Sequence, residues 1–113
     1  MCYDKTLENT DLFKGAEDLW FWFVNSKRIR TGFPLKMETD IVRPCQLADV
    51  ESLITRLYLS GRLTNEEMKT MLRFGMLRRV PNDRFHHEAR DAMRWETAMA
   101  TLGIAAKEKG WVE

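Results

Sequence analysis

Two adjacent histidines, His86 and His87, are the residues of this sequence best suited to metal binding or acid–base chemistry. A helical zinc site of the H-E-x-x-H kind places its two histidines four positions apart so that both reach one ion. Here the sequence reads HHEAR, and adjacent residues of a helix point in different directions. Cys2 and Cys45 would complete a four-ligand set only by tertiary coincidence. We therefore expect neither a metal site nor a cofactor.

The sequence also lacks the short motifs that accompany common enzymatic chemistry. There is no G-x-S-x-G nucleophile turn, no glycine-rich phosphate loop and no paired-carboxylate signature. A site assembled from scattered residues would leave no such trace. We expect a protein that is not an enzyme and that has no evident small-molecule substrate.

The segment 73–94 is the best candidate for contact with nucleic acid, because its arginines and histidines surround a loop between two helices. The net charge of the whole chain is only +1, so any such contact must be local. The alternative is a solvated basic face that pairs with the acidic segments of the chain itself. The candidate phosphate contacts are Arg28, Arg30, Arg78, Arg79 and Arg84.

The run LWFWF, residues 19–23, cannot face one small core in its entirety, because a helix turns about 100 degrees per residue. Phe21 and Trp22 point away from the face that Trp20 shares with Phe23. They are either wrapped by their own domain or exposed to a partner, since exposed aromatic patches are usually binding surfaces. With Met76, they are the predicted contacts of a non-enzymatic regulatory or adaptor protein whose partner is another protein or a second copy. A DNA- or RNA-binding regulator that uses segment 73–94 is the alternative.

Length and composition indicate the class of protein and the compartment in which it occurs. A chain of 113 residues, 44% of them hydrophobic, suits one domain with its own core. Two cysteines are few for a disulfide-stabilised secreted domain. The only long apolar run, residues 19–24, is far too short to span a bilayer. These features predict a cytoplasmic protein without a membrane segment.

The spacing of apolar residues and the positions of glycine predict an all-α fold of four main helices. The first helix begins near Thr10 or after Gly15 and ends at Gly32. The second follows Pro44 and ends at Gly61. A T-x-x-E capping box that starts at Thr64 opens the third helix, so residues 46–75 form a capped helical hairpin. Its expected buried face is Met68, Met71 and Leu72.

A long fourth helix is expected after Asn82 or Asp83, with Gly103 as a kink or break and Gly110 as its stop. We expect residues 1–10 to form a loosely ordered arm and residues 11–113 to form the helical domain. The inner stripe of the fourth helix is predicted to consist of Phe85, Ala89, Ala92, Met93, Trp95 or Glu96, Met99 and Leu102.

Two resemblances accompany these patterns. The L-x-x-x-G-x-L-T-x-E-E hairpin, from Leu57 to Glu67, resembles the helical hairpin of short C-terminal domains appended to many bacterial proteins. The order RPC, RLY, RLT, W-x-x-A-M and KGWVE, within Trp20 to Val112, is similar to that of a family of small uncharacterised alphaproteobacterial proteins. The second resemblance implies a compact helical domain and a bacterial cytoplasm, and it transfers no functional residue.

Overall fold

The computed structural model describes residues 12–30 and 43–113, without the side chains of residues 28–30. The predicted arm, residues 1–10, and the expected stop at Gly32 lie outside the described residues. Within them, four α-helices form one packed unit and no strand is present, which confirms the all-α prediction. The helices are α1 (Ala16–Arg30), α2 (Leu47–Leu59), α3 (Asn65–Leu77) and α4 (Ala89–Glu108), and a 3-10 turn (His86–Glu88) precedes α4.

Helix α1 begins directly after Gly15, which confirms the second of the two predicted starts. Glu17 and Asp18 lie in its first turn, where carboxylates interact favourably with the positive end of the helix. The Asp18 carboxylate also accepts a hydrogen bond from the backbone N–H of Lys14, at 3.2 Å. Helix α1 contacts each of the other three helices, so it is the central element of the fold.

The turn between α2 and α3 follows the sequence prediction. Gly61 has a φ of 84°, a left-handed conformation that favours glycine. The Thr64 hydroxyl accepts a hydrogen bond from the Glu67 N–H at 3.1 Å, and the Thr64 N–H donates to the Glu67 carboxylate at 2.8 Å. The capping box is therefore confirmed, and α3 starts where the sequence predicts.

The buried face of α3 agrees with the predicted one at Met71 and at Met68, which is half-buried against the core, and differs from it at Leu72. Leu72 is exposed, whereas Met71, Phe74 and Gly75 are buried. The reason is that α3 lies between α1 and α4 and contacts both. Gly75 faces α1, where the Trp20 side chain approaches it closely.

Helix α4 begins later than the sequence predicts, and neither Asn82 nor Asp83 caps it. The Asn82 side chain instead accepts a hydrogen bond from the backbone N–H of Arg84, at 3.0 Å, as in an Asx turn. Gly103 does not break the helix, which continues to Glu108. Gly103 lies near Ala16 of α1, at a distance that would also accommodate an alanine side chain.

Two tryptophans lie at the centre of the core, and each donates its indole N–H to an acceptor on another helix. Trp20 of α1 donates to the backbone carbonyl of Met71 at 2.9 Å. Trp95 of α4 donates to the Glu17 carboxylate at 2.8 Å. These hydrogen bonds fix the relative positions of α1, α3 and α4.

The two ends of the described chain meet in a single parallel β-bridge between Phe13 and Val112. The Phe13 N–H donates to the Trp111 carbonyl, and the Glu113 N–H donates to the Phe13 carbonyl, both at 2.9 Å. The Phe13 ring is fully buried. The Cζ atom of the Arg43 guanidinium lies over this ring, 4.4 Å from the ring centre. This bridge closes the helical unit at its two ends.

Candidate partner-binding surfaces

Helix α3 ends in a surface that is unusually apolar for an exposed position. Leu72, Met76, Leu77 and Val80 lie within nine consecutive residues and are each between 41% and 54% exposed. Leu72 and Met76 are one helical turn apart, so their side chains are neighbours on the helix. We call these four residues the α3 surface. It contains Met76, one of the three partner contacts predicted from the sequence.

The other two predicted contacts, Phe21 and Trp22, are half-buried and pack against the core. The Phe21 ring lies 5.6 Å from that of Trp95, and the Trp22 ring lies 5.1 Å from that of Phe13. Their own domain therefore covers much of both rings, which agrees with the first of the two alternatives for the LWFWF run. The structure does not bring them together with Met76 in a contact.

The five arginines predicted to bind phosphate have different surroundings. Arg78 is the C-cap of α3, has a φ of 61°, and donates to the Asn25 side chain at 3.1 Å. Arg79 forms an ion pair with the carboxylate of Glu88. Arg84 is exposed, and no ion pair among the described residues includes it. The side chains of Arg28 and Arg30 lie outside the described atoms, so their predicted role stays a prediction.

The carboxylate that engages Arg79 belongs to Glu88, whose side chain is buried beneath the loop 78–88. Arg79 donates to its two oxygens at 2.9 and 2.6 Å, and the backbone N–H of Asn82 donates to it at 2.9 Å. These hydrogen bonds lower the pKa of Glu88 to about 2, and those from Arg79 have the largest effect. Burial of the carboxylate acts in the opposite direction and raises its pKa. Glu88 therefore fixes the loop, and Arg79 could contact a phosphate only by leaving this carboxylate.

We expect Glu88→Gln to lower the thermal midpoint at neutral pH, because the neutral amide loses the charged pairing with Arg79. The folded state lowers the pKa of Glu88, so its stabilising effect is present above the unfolded pKa and is lost as the pH falls through about 2. The difference in midpoint between the native chain and Glu88→Gln should therefore shrink in acid. Thermal unfolding followed by circular dichroism from neutral pH to about pH 2 measures it.

Glu51→Gln is the matched control, because Glu51 forms an exposed ion pair with Lys27 at 3.3 Å. Exposed pairs contribute little to stability, so this variant should unfold close to the native chain at neutral pH. An equal loss of stability in both variants would contradict the role given to Glu88.

A second exposed surface lies where the loop enters α4. Phe85 is 50% exposed, and its ring stacks on that of His87 with centres 5.8 Å apart and planes 14° apart. Met93, one to two turns into α4, is also exposed. The prediction that Phe85 and Met93 belong to the buried stripe of the last helix is therefore wrong for both residues. The late start of α4 explains Phe85, because the residue precedes the helix and its 3-10 turn.

Among the described residues, no three histidine, cysteine, aspartate or glutamate side chains are grouped so that they could hold a metal ion. None of the described helices has the length and apolar character needed to cross a bilayer. Comparison with known proteins finds no matching family model, no matching curated protein and no matching solved structure.

Proposed function

We propose that this chain is a non-enzymatic adaptor or regulatory protein that binds another protein through the α3 surface. The observation that carries the proposal is the exposure of Leu72, Met76, Leu77 and Val80 within nine residues. Exposed apolar residues that are close together are typical of interaction sites, and flexible methionine adapts well to a partner surface. The proposal also places the protein in a bacterial cytoplasm, as its resemblance to a family of small alphaproteobacterial proteins implies.

The half-buried aromatics have a supporting role in this proposal. Phe21 and Trp22 pack on Trp95 and Phe13, so they stabilise the helices that present the α3 surface.

Met76 is the predicted contact residue whose side chain is most available to a partner. A cation borders the surface, because Arg78 follows Leu77 and donates to the neutral side chain of Asn25. A partner with an apolar patch and acidic residues at its edge would complement this arrangement.

The test replaces Leu72 and Met76 together with lysine, which introduces charge into the apolar centre of the surface. The control is Leu59→Lys, because Leu59 is an exposed leucine at the end of α2. Each tagged chain is used for affinity capture from its own cell extract, and the captured protein is then purified and titrated calorimetrically. We expect the double variant to bind at least about tenfold more weakly, since central contacts dominate binding energy. Leu59→Lys should bind as the native chain does.

The same variants decide whether the partner is a second copy. A concentration-dependent dimer in sedimentation equilibrium that the Leu72 and Met76 double variant abolishes would identify the chain itself as the partner. The proposal is wrong if the purified protein is monomeric at all concentrations and no captured protein distinguishes the double variant from the native chain.

A further inference from the structure

The loop before α4 exposes a pair of aromatic rings. Phe85 stacks on His87, and the His87 side chain is 79% exposed. The loop conformation is already fixed by the Glu88 carboxylate, which binds Arg79 and the backbone of Asn82. His87 itself lies near this carboxylate, with its Nε2 atom 3.7 Å from Oε2 of Glu88, so the same network positions the stack. The Phe85–His87 stack presents two nearly parallel rings at the surface.

The arginines around this stack differ in whether a carboxylate neutralises them. Arg73, Arg79 and Arg94 each form an ion pair, with Asp91, Glu88 and Glu66 in turn. In the described part of the chain, no ion pair includes Arg84 or Arg90, and both residues are exposed. Two cations therefore remain available to an anionic ligand.

A shallow groove places one of these two cations next to the stack. Its lining includes His86, His87, Arg90 and Arg94, together with the Asp91 carboxylate, which is paired with Arg73. His87 therefore belongs both to the stacked pair and to the groove that contains Arg90. Arg84 directly precedes Phe85 in the chain and is exposed, although it does not line this groove.

We propose that this surface binds single-stranded nucleic acid, with one base stacked on the Phe85–His87 pair and the flanking phosphates at Arg84 and Arg90. An aromatic face at the surface can stack on a base only if that base is unpaired and its own face is accessible. Cations beside an aromatic face bind the backbone while the ring binds the base. An acidic peptide would use the arginines and leave the ring face without a role.

This site is distinct from the set of arginines predicted from the sequence. Arg79 is committed to Glu88, and Arg78 donates to Asn25. Only Arg84 of that set belongs to the new site. Phe85 and His87 belong to it because their rings are stacked, and Arg90 belongs to it because it is outside every ion pair of the described residues. Neither feature can be predicted from the spacing of residues along a helix.

The test measures the fluorescence anisotropy of a labelled oligothymidine of about 15 nucleotides, a length that covers one single-strand site, against a duplex of the same length. We expect the single strand to bind more tightly than the duplex. Phe85→Ala should weaken single-strand binding roughly five- to 150-fold, the range expected for loss of one aromatic–base stack. Phe85→Trp should retain binding, because a larger ring preserves the stack. Far-ultraviolet circular dichroism checks that each variant is folded.

Two controls separate stacking from general apolar or cationic contact. Ile104→Ala removes an exposed apolar side chain of α4 that does not line the groove, and it should change the affinity little. Arg62→Ala removes an exposed arginine of the turn between α2 and α3 and should also leave it unchanged. Replacing Arg84 and Arg90 with alanine should reduce the salt slope of binding by about 0.7 for each phosphate that the protein no longer neutralises.

The outcomes also separate this proposal from the protein-binding function. A neutral double variant, Leu72→Ser with Met76→Ser, should bind oligothymidine as the native chain does, because it leaves the net charge unchanged and its substitutions lie on α3. Absent binding, tighter binding to the duplex, or equal losses in Phe85→Ala and Ile104→Ala would each overturn the single-strand site and leave the α3 surface untouched.

Discussion

Replacing Trp20 with phenylalanine is expected to lower the free energy of unfolding by about 2 to 3 kcal/mol. The indole is 1% exposed and lies between α1 and α3, so the smaller ring leaves a cavity that the neighbouring helices fill only in part. The substitution also removes the hydrogen bond from the indole N–H to the Met71 carbonyl. Denaturant unfolding followed by circular dichroism measures the change, since the loss of a tryptophan alters fluorescence directly.

Trp22→Phe is the matched control, because Trp22 is a tryptophan of the same helix but is only half-buried. Its ring packs on Phe13, and a phenylalanine would keep much of that contact. We expect the free energy of unfolding to decrease by less than about 1 kcal/mol, as is usual for substitutions away from fully packed positions. Equal decreases in the two variants would show that Trp20 is not a central residue of the core.

Gly75→Ala is expected to destabilise the protein by about 1 to 3 kcal/mol, although alanine is the better helix former. A Cβ atom at this position would lie 2.9 Å from Nε1 of Trp20 and 3.0 Å from Cγ2 of Val24. Both neighbours belong to buried side chains of α1, so neither can move aside without disturbing the core. The added methyl group therefore forces α1 and α3 apart. Thermal and denaturant unfolding measure this change.

Gly103→Ala is expected to have the opposite effect and to stabilise the protein. Gly103 also lies inside a helix, but a Cβ atom there would be 3.5 Å from the Cβ atom of Ala16, an ordinary contact distance. Alanine should then increase the free energy of unfolding by up to about 1 kcal/mol through its higher helix propensity. Two glycine-to-alanine changes with the same sign would contradict the close approach of α1 to Gly75.

The elements of this fold could be predicted because their ends carry local chemical signals. Gly61 and the Thr64–Glu67 pair act through backbone groups within a few residues of themselves, so their effect can be read without knowing the tertiary structure. The start of α4 could not be predicted in the same way. Asn82 is a good cap residue, but its side chain closes a turn with Arg84, because Glu88 draws the loop back to Arg79.

The candidate sites were less predictable than the fold. Helical spacing indicates that Met71 and Leu72 lie near one face, but which of them is buried depends on how α1 and α4 flank α3. The pairing of Arg79 with Glu88 spans nine positions and an irregular loop, so no periodicity indicates it. The same holds for Phe85, whose exposure follows from the 3-10 turn before α4.

The bridge between Phe13 and Val112 means that the backbone enters and leaves the helical unit at one place. The unit could therefore be carried as an insertion within a loop of another polypeptide without separating the two flanking ends of its host. Mechanical tension applied through those ends would act on the two hydrogen bonds of Phe13 before it reached any helix.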